Sequence, residues 1–191
     1  MIVTILGDPG SGKGTQVEMI QARYRNALTI GMSRELEPIV QRQPDLQVMR
    51  NNGGLLPDHV VIETFRRALP EAIPELAVVE GFPRTAEQAR WFGFNLQGHR
   101  VAIVLSLKKE TALGRIAERK IALSGASRKD DQHPEGRLAI YRANLDVILA
   151  KLRKAGVIIH RVDAEPSKED VADQVLLIIQ REMGVALGVS A

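Results

Sequence analysis

The fold is decided by Ile2-Val3-Thr4-Ile5-Leu6 and by the next nine residues, Gly7-Asp8-Pro9-Gly10-Ser11-Gly12-Lys13-Gly14-Thr15. The apolar run predicts a buried strand, and the amphipathic stretch Lys13–Tyr24 predicts a helix after the turn. Glycines let backbone N–H groups turn towards phosphate oxygens, and the helix N-terminus adds a partial positive charge. Lys13 supplies a full charge. The Gly-x-x-x-x-Gly-Lys spacing between a strand and a helix therefore predicts a phosphate-binding loop.

Two other classes of phosphate-binding protein fit this loop poorly. A dinucleotide fingerprint that starts at Gly10 needs a third glycine where Thr15 stands. GTPases hold magnesium with a hydroxyl directly after the lysine, and here that residue is Gly14. The loop therefore favours binding of a nucleotide phosphate chain and is a poor match to a GTPase.

Short apolar runs alternate with amphipathic stretches along the rest of the chain. This alternation predicts an α/β domain with a mostly parallel sheet, in which ligands bind at the carboxyl ends of the strands. The predicted strands are Ile2–Leu6, Ala27–Ile30, Leu76–Val79, Val101–Leu107 and Val157–Val162. The predicted helices are Lys13–Tyr24, Asp58–Leu69, Thr85–Phe92, Glu110–Ala122, Arg137–Ala155 and Ser167–Met183.

Two stretches interrupt the alternation. Gly31 to Pro57 is longer than a simple crossover, and Leu123 to Gly136 is polar. Loops of this length inside a compact domain are usually functional inserts, often lids. We therefore expect both stretches to cover a ligand.

Composition limits the classes of function. The chain has 191 residues, of which 45% are hydrophobic and 26% charged, so we expect one globular domain. It has no cysteine, which excludes disulfides, thiol nucleophiles and cysteine-ligated metals. A net charge of +3 and 4% aromatic residues argue against a nucleic-acid partner. The sequence shows neither a long apolar run nor a signal peptide, so we expect no membrane partner and a cytoplasmic location.

A second motif, Glu80-Gly81-Phe82-Pro83-Arg84-Thr85, follows the third predicted strand directly. A carboxylate at this strand end faces the phosphate loop, where it can hold magnesium through water. Arg84 can direct a planar guanidinium at a phosphate. Gln88 lies on the same helix face, and its amide can donate and accept at once, as one edge of adenine requires. The motif therefore offers groups for a metal ion, a phosphate and an adenine base.

The two motifs together resemble those of the adenylate kinase family. They stand here as Gly7–Gln16 and Gly81–Gln88, in the order and at the spacing of that family. The resemblance covers nearly the whole chain and implies a three-layer phosphate-loop fold with a central parallel sheet. It implies one domain over residues 1–191, a monophosphate-binding insert at 29–57 and a short lid at 120–131. The implied activity is ATP + AMP ⇌ 2 ADP with Mg²⁺, by a monomer.

The resemblance also implies roles for individual residues. Those that it places on ATP are Gly10, Ser11, Gly12, Lys13, Gly14, Thr15, Arg119 and Pro166. Those that it places on AMP are Ile30, Arg34, Gly54, Leu55, Leu56, Gly81, Phe82, Pro83, Arg84, Gln88, Arg128 and Arg137. The implied catalytic residues are Lys13, Arg84, Arg119, Arg128 and Arg137. Glu80 is expected to hold magnesium through water.

The acceptor side departs from the family pattern. Ile30-Gly31-Met32 stands where the family has Thr-Gly-Asp, and Glu80 replaces the usual aspartate. Ile30 lacks the hydroxyl that helps to place AMP, and Met32 lacks a carboxylate that helps to hold the magnesium waters. These changes leave two alternatives open. One is a kinase for another nucleoside monophosphate, and the other is a nucleotide-binding regulatory protein with weak or lost turnover.

Overall fold

The structure is a computed structural model that describes residues 1–122 and 133–188. Its elements in chain order are β1 (Ile2–Gly7), α1 (Lys13–Arg23), β2 (Leu28–Gly31), α2 (Met32–Arg42), α3 (Pro44–Asn51), α4 (Asp58–Ala68), β3 (Ala77–Glu80), α5 (Ala86–Asn95), β4 (Arg100–Ser106), α6 (Lys109–Ala122), α7 (Pro134–Lys154), β5 (Ile158–Asp163) and α8 (Lys168–Ala186).

The five strands form one parallel sheet in the order β2-β3-β1-β4-β5. The central strand β1 pairs on both sides, with Ile2 opposite Ala77 of β3 and Arg100 of β4. All five predicted strands are present, and none of their ends is shifted by more than one residue. The predicted α/β class with a parallel sheet is therefore confirmed.

Alternate residues of the strands face two separate cores. Val3 and Ile5 of β1 pack with Ile20 of α1 and with apolar residues of α8 on one face. Ile2 and Leu6 pack on the opposite face, in a core that includes residues of α4, α5 and α7. Successive strand residues are thus buried on both sides, as in a sheet covered by two helical layers. The three-layer prediction is confirmed.

The insert between β2 and β3 is more regular than expected, because two helices, α2 and α3, occupy much of it. Met32, Leu36 and Val40 are the buried residues of α2 and repeat at the spacing of one helix face. Pro44 stands at the first position of α3, where a missing N–H costs nothing. The limits of the insert at 29–57 stay a prediction.

The segment after α6 is only partly described. Helix α6 continues to Ala122, so the predicted lid at 120–131 begins within it. The rest of that lid, including Arg128, lies outside the described residues. Helix α7 begins at Pro134, three residues before the predicted start at Arg137.

Two of the four histidines have a structural partner. His99 Nε2 lies 2.7 Å and His160 Nε2 2.8 Å from the two carboxylate oxygens of Glu182, which is 5% exposed. Burial acts to raise the pKa of Glu182, but the hydrogen bonds from both histidines outweigh it and lower the pKa. Within the described residues, no three acidic or histidine side chains are grouped to hold a metal. None of the helices there has the length and apolar character needed to cross a bilayer.

Candidate active site

The phosphate loop needs its glycines for two reasons. Gly10 and Gly12 have φ angles of 85° and 87°, a region that other residues rarely adopt. A Cβ on Gly10 would also lie 2.4 Å from the carbonyl oxygen of Ala112. Gly12 is the N-cap of α1, so the backbone N–H groups of the first turn face the concave side of the loop.

Lys13 spans this loop. Its Nζ donates to the carbonyl oxygens of Gly7 and Asp8, each at 2.9 Å. These bonds hold the ammonium group across the loop, where it adds a full positive charge to the field of the helix N-terminus. The arrangement attracts a phosphate chain and orients it along the loop.

A cleft of about 1070 Å³ opens in front of the loop. Of the residues predicted to contact ATP, those that line it are Gly10, Gly12, Lys13, Gly14, Thr15 and Arg119. Ser11 of the loop is buried, at 2% exposed, and lines neither this cleft nor the second cavity described next. Pro166 also lies outside both, and its carbonyl oxygen accepts from Arg115 Nη2 at 3.5 Å.

A second cavity, of about 540 Å³, adjoins the first. Leu56 and Gln88 line this second cavity but not the first cleft, whereas Pro83 lines the first cleft but not the second cavity. The residues common to both are Gly54, Leu55, Gly81, Arg84 and Arg137. The insert, the second motif and α7 therefore meet in one shared wall that carries two arginines.

Three residues predicted for the acceptor site line neither cavity. Ile30 is 3% exposed in the sheet core, and Phe82 is fully buried with its ring stacked on Phe65 at 4.5 Å. Ile30 continues the apolar pattern of β2, and Phe82, two residues after the end of β3, packs into the same core. The side chain of Arg34 is 75% exposed and pairs with Glu35 at 3.4 Å. It lies on the face of α2 opposite Met32 and Leu36, so it is directed to solvent.

The amide of Gln88 is held in one orientation. Its Nε2 donates to Asp58 Oδ1 at 2.8 Å, and its Oε1 accepts from the backbone N–H of Arg84 at 2.8 Å. Thr85 Oγ1 donates to the same Asp58 oxygen and caps α5 by accepting from the Gln88 N–H. One donor and one acceptor of the amide are therefore used internally, which leaves one of each for a ligand.

Glu80 stands beside the loop. A Cβ placed on Gly14 would lie 3.8 and 3.9 Å from its two carboxylate oxygens. Among the described residues that line the first cleft, Glu80 is the one acidic side chain. Met32, where the family pattern has a carboxylate, is 1% exposed in the core. A carboxylate at the loop beside Thr15 is a donor set that suits a hard cation held partly through water.

One pair at the site was missed by the sequence reading. Arg142 of α7 donates to Asp8 Oδ2 through Nε at 3.1 Å and through Nη2 at 2.5 Å, and Nη2 also donates to the carbonyl of Leu107 at 3.1 Å. Asp8 is 5% exposed, and its hydrogen bond raises the pKa of Arg142. Burial raises the pKa of the neighbouring Tyr141 phenol and the Asp8 carboxylate raises it further, so that phenol stays protonated.

Removing Arg142 is expected to weaken ATP binding, because a buried carboxylate in the phosphate loop then loses its countercharge. Arg142→Ala should raise the KM for ATP about 10-fold, the equivalent of 1.4 kcal/mol. Asp8→Asn in the same chain should restore most of the loss, since the uncompensated charge is gone. Steady-state kinetics and melting curves of both variants give the comparison.

The control for this pair is Arg67→Ala, which breaks an exposed ion pair with Glu63 on α4. It should change the ATP KM very little. If the double variant is as impaired as Arg142→Ala alone, the charge of Asp8 is not the cause of the loss.

Comparison with known proteins agrees with this geometry. A family model described as an AAA domain matches residues 6–135. The adenylate kinase of Nitrobacter winogradskyi is 29% identical over an alignment of 202 positions, which covers 95% of this chain and 94% of that protein. The adenylate kinase of Methylorubrum extorquens strain PA1 is 33% identical over 156 residues, 76% of each chain.

Human adenylate kinase isoenzyme 5 is 27% identical over 175 residues, 89% of this chain, and the chain spans only 31% of its length. The bacterial matches, by contrast, extend along most of both chains. The structure adds a phosphate loop at the edge of a parallel sheet and two adjoining cavities. From this similarity and this geometry together, we conclude that the chain belongs to the adenylate kinase family.

Proposed function

We propose that the protein transfers a phosphoryl group reversibly from ATP to AMP, giving two ADP. The observation that carries this proposal is the wall shared by the two cavities, in which Arg84 and Arg137 face both. A transferred group must pass between donor and acceptor without leaving the protein. Two arginines at the junction are placed to neutralise its charge from start to finish.

Side chains have little covalent work in this reaction. The acceptor oxygen of AMP is already anionic, so no general base is needed, and the protein positions the two nucleotides and compensates charge. Lys13 and the loop N–H groups hold the ATP phosphates, and Arg119 lines the same cleft. We propose that the insert at 29–57 and the lid at 120–131 close over both nucleotides to exclude water, which is a competing acceptor.

A kinase of this kind requires a metal bound to its nucleotide, and we propose that the metal is Mg²⁺. Glu80 would hold it through water, and Thr15 lies in the same part of the cleft. Bound there, the ion would supply positive charge against the phosphates of ATP. The carboxylate of Glu80 would accept hydrogen bonds from the waters of the ion and so keep it near the loop.

A coupled assay with ATP and a panel of monophosphates tests the proposed function. We expect AMP to be the preferred acceptor over CMP, UMP and GMP. Turnover with a pyrimidine monophosphate instead of AMP would support a kinase for another nucleoside monophosphate. Binding of ATP without turnover on any acceptor would support a regulatory protein.

Gln88→Leu is expected to impair the acceptor side alone. It removes the amide that meets the base, and an unpaired base edge typically costs about 1–3 kcal/mol. The KM for AMP should therefore rise by about 10-fold or more, while the KM for ATP stays near its original value. Because the change also leaves Asp58 without one hydrogen bond, each variant needs a melting curve. The exposed Gln97→Leu is the control, and equal rises in both KM values would contradict the assignment.

Glu80→Gln is expected to reduce kcat strongly at limiting magnesium, because it removes the acidic side chain that faces the loop. Raising magnesium should recover part of the rate, since the metal then binds with fewer protein contacts. The buried Met32 offers no substitute, and Met32→Asp should lower stability instead of aiding metal binding. Rates measured against magnesium concentration decide the point. Full activity of folded Glu80→Gln at limiting magnesium would exclude this role.

A further inference from the structure

Of the described arginines predicted to bind AMP, Arg34 is the one that the structure places away from both cavities. Arg34 is directed to solvent and lines neither cavity. A monophosphate carries two negative charges near neutral pH and needs cations around it. Arg84 and Arg137 supply two of these cations, and a further one from the insert itself must come from a residue other than Arg34.

Arg50, in the last turn of α3, occupies such a position. Its side chain is 15% exposed, and it lines the second cavity together with Arg84 and Arg137. Within the described chain, no acidic residue lines that cavity. Three guanidinium groups around a space without a lining carboxylate favour an anionic or oxygen-rich ligand.

The hydrogen bonds of Arg50 are incomplete in the structure. Its Nη2 donates to Glu37 Oε2 of α2 at 2.7 Å, whereas its buried Nε has no hydrogen-bond partner among the described residues. An unsatisfied buried donor is costly. A ligand oxygen in the cavity can satisfy the guanidinium after a rotation of the side chain, with Glu37 still holding one edge.

We propose that Arg50 is a ligand of the acceptor nucleotide and takes the place that Arg34 was expected to fill. The proposal rests on the proposed function and adds to it the source of the insert's cation. Arg50 lines the second cavity and not the first, so it contacts the monophosphate and not ATP. Its ligand class is a nucleoside monophosphate, bound through an anionic or carbonyl oxygen.

A purely structural role for Arg50 predicts different effects of substituting Arg50 and Glu37. If the ion pair with Glu37 merely ties α2 to α3, then Glu37→Gln and Arg50→Gln should have the same effect on stability and on binding. If Arg50 binds the ligand, Glu37→Gln releases the guanidinium for it. Acceptor affinity is then kept or increased in Glu37→Gln but lost in Arg50→Gln.

The test is calorimetric titration of AMP, and of any other monophosphate that the panel identifies, into the full chain and its variants. Arg50→Gln should raise the acceptor Kd about 10-fold or more with the ATP Kd little changed, as for loss of a charge-assisted hydrogen bond. Arg50→Lys keeps the charge without the fork, should give an intermediate loss, and tests the proposal if Arg50→Gln fails to fold. Arg42→Ala, an exposed arginine of the same insert, is the control.

Two outcomes overturn the proposal. One is an acceptor Kd that stays unchanged in Arg50→Gln, with or without a higher acceptor Kd in Arg34→Ala. The other is an equal loss in Glu37→Gln and Arg50→Gln that follows their melting temperatures. A wild-type chain that binds no monophosphate would overturn the proposed function as well. If the wild-type chain turns over AMP and the Arg50 variants bind AMP with an unchanged Kd, this inference alone is overturned.

Discussion

Replacing Lys13 with alanine is expected to lower kcat by about 100-fold or more, because the lysine meets charge that develops during phosphoryl transfer. The ammonium group is fixed by the carbonyl oxygens of Gly7 and Asp8, so it enters the reaction already positioned. The KM for ATP should change less than kcat, since the loop N–H groups still bind the phosphates. A coupled assay at saturating ATP and AMP measures the loss.

The same substitution removes two hydrogen bonds within the loop, so stability must be followed beside activity. Lys154→Ala at the exposed end of α7 serves as the control and should leave kcat unchanged. A folded Lys13→Ala variant with near-wild-type kcat would show that the loop does not hold the reacting phosphates.

The sheet was predictable because its strands are short and apolar on successive residues. Runs such as Val101–Leu105 are buried on both faces, as in a parallel sheet between two helical layers. The phosphate loop was predictable for a related reason. Its glycines, lysine and flanking elements are adjacent in the chain, so local spacing contains the whole motif.

Contacts between distant residues were not predictable in this way. Asp8 and Arg142 are 134 positions apart and meet only because β1 and α7 are brought together by the fold. The hydrogen bond from Gln88 Nε2 to Asp58 Oδ1 of α4 likewise joins residues 30 positions apart. No local pattern marks either partner.

The spacing of apolar residues in α2 is enough to predict which way Arg34 faces. Met32, Leu36 and Val40 repeat every four residues and define the buried face of α2. Arg34 lies two residues from Met32 and two from Leu36, which turns it away from that face. Helical periodicity therefore places Arg34 on the exposed face of α2, whereas resemblance to the family motif predicted that it binds AMP.

Arg137 is expected to affect the rate at least as strongly as Lys13. It lies in the first turn of α7 and lines both cavities, so one guanidinium group can follow the phosphoryl group from donor to acceptor. Arginines in this role are worth roughly 10³–10⁵ in rate. Arg137→Ala should lower kcat by about 1,000-fold at the least, and Arg137→Lys should recover only part of it because the planar fork is lost.

Non-additivity is the sharper test of that placement. Arg84 and Arg137 share one wall, so each should depend on the other to hold the same group, and Arg84→Ala with Arg137→Ala should lose little more than the worse single variant. The same behaviour is expected of Arg128 with Arg137. Arg153→Ala, near the far end of the same helix, is the matched control and should retain full kcat. Losses that add fully in free energy would mean that the two arginines act on different groups, and the shared wall would then not be the path of transfer.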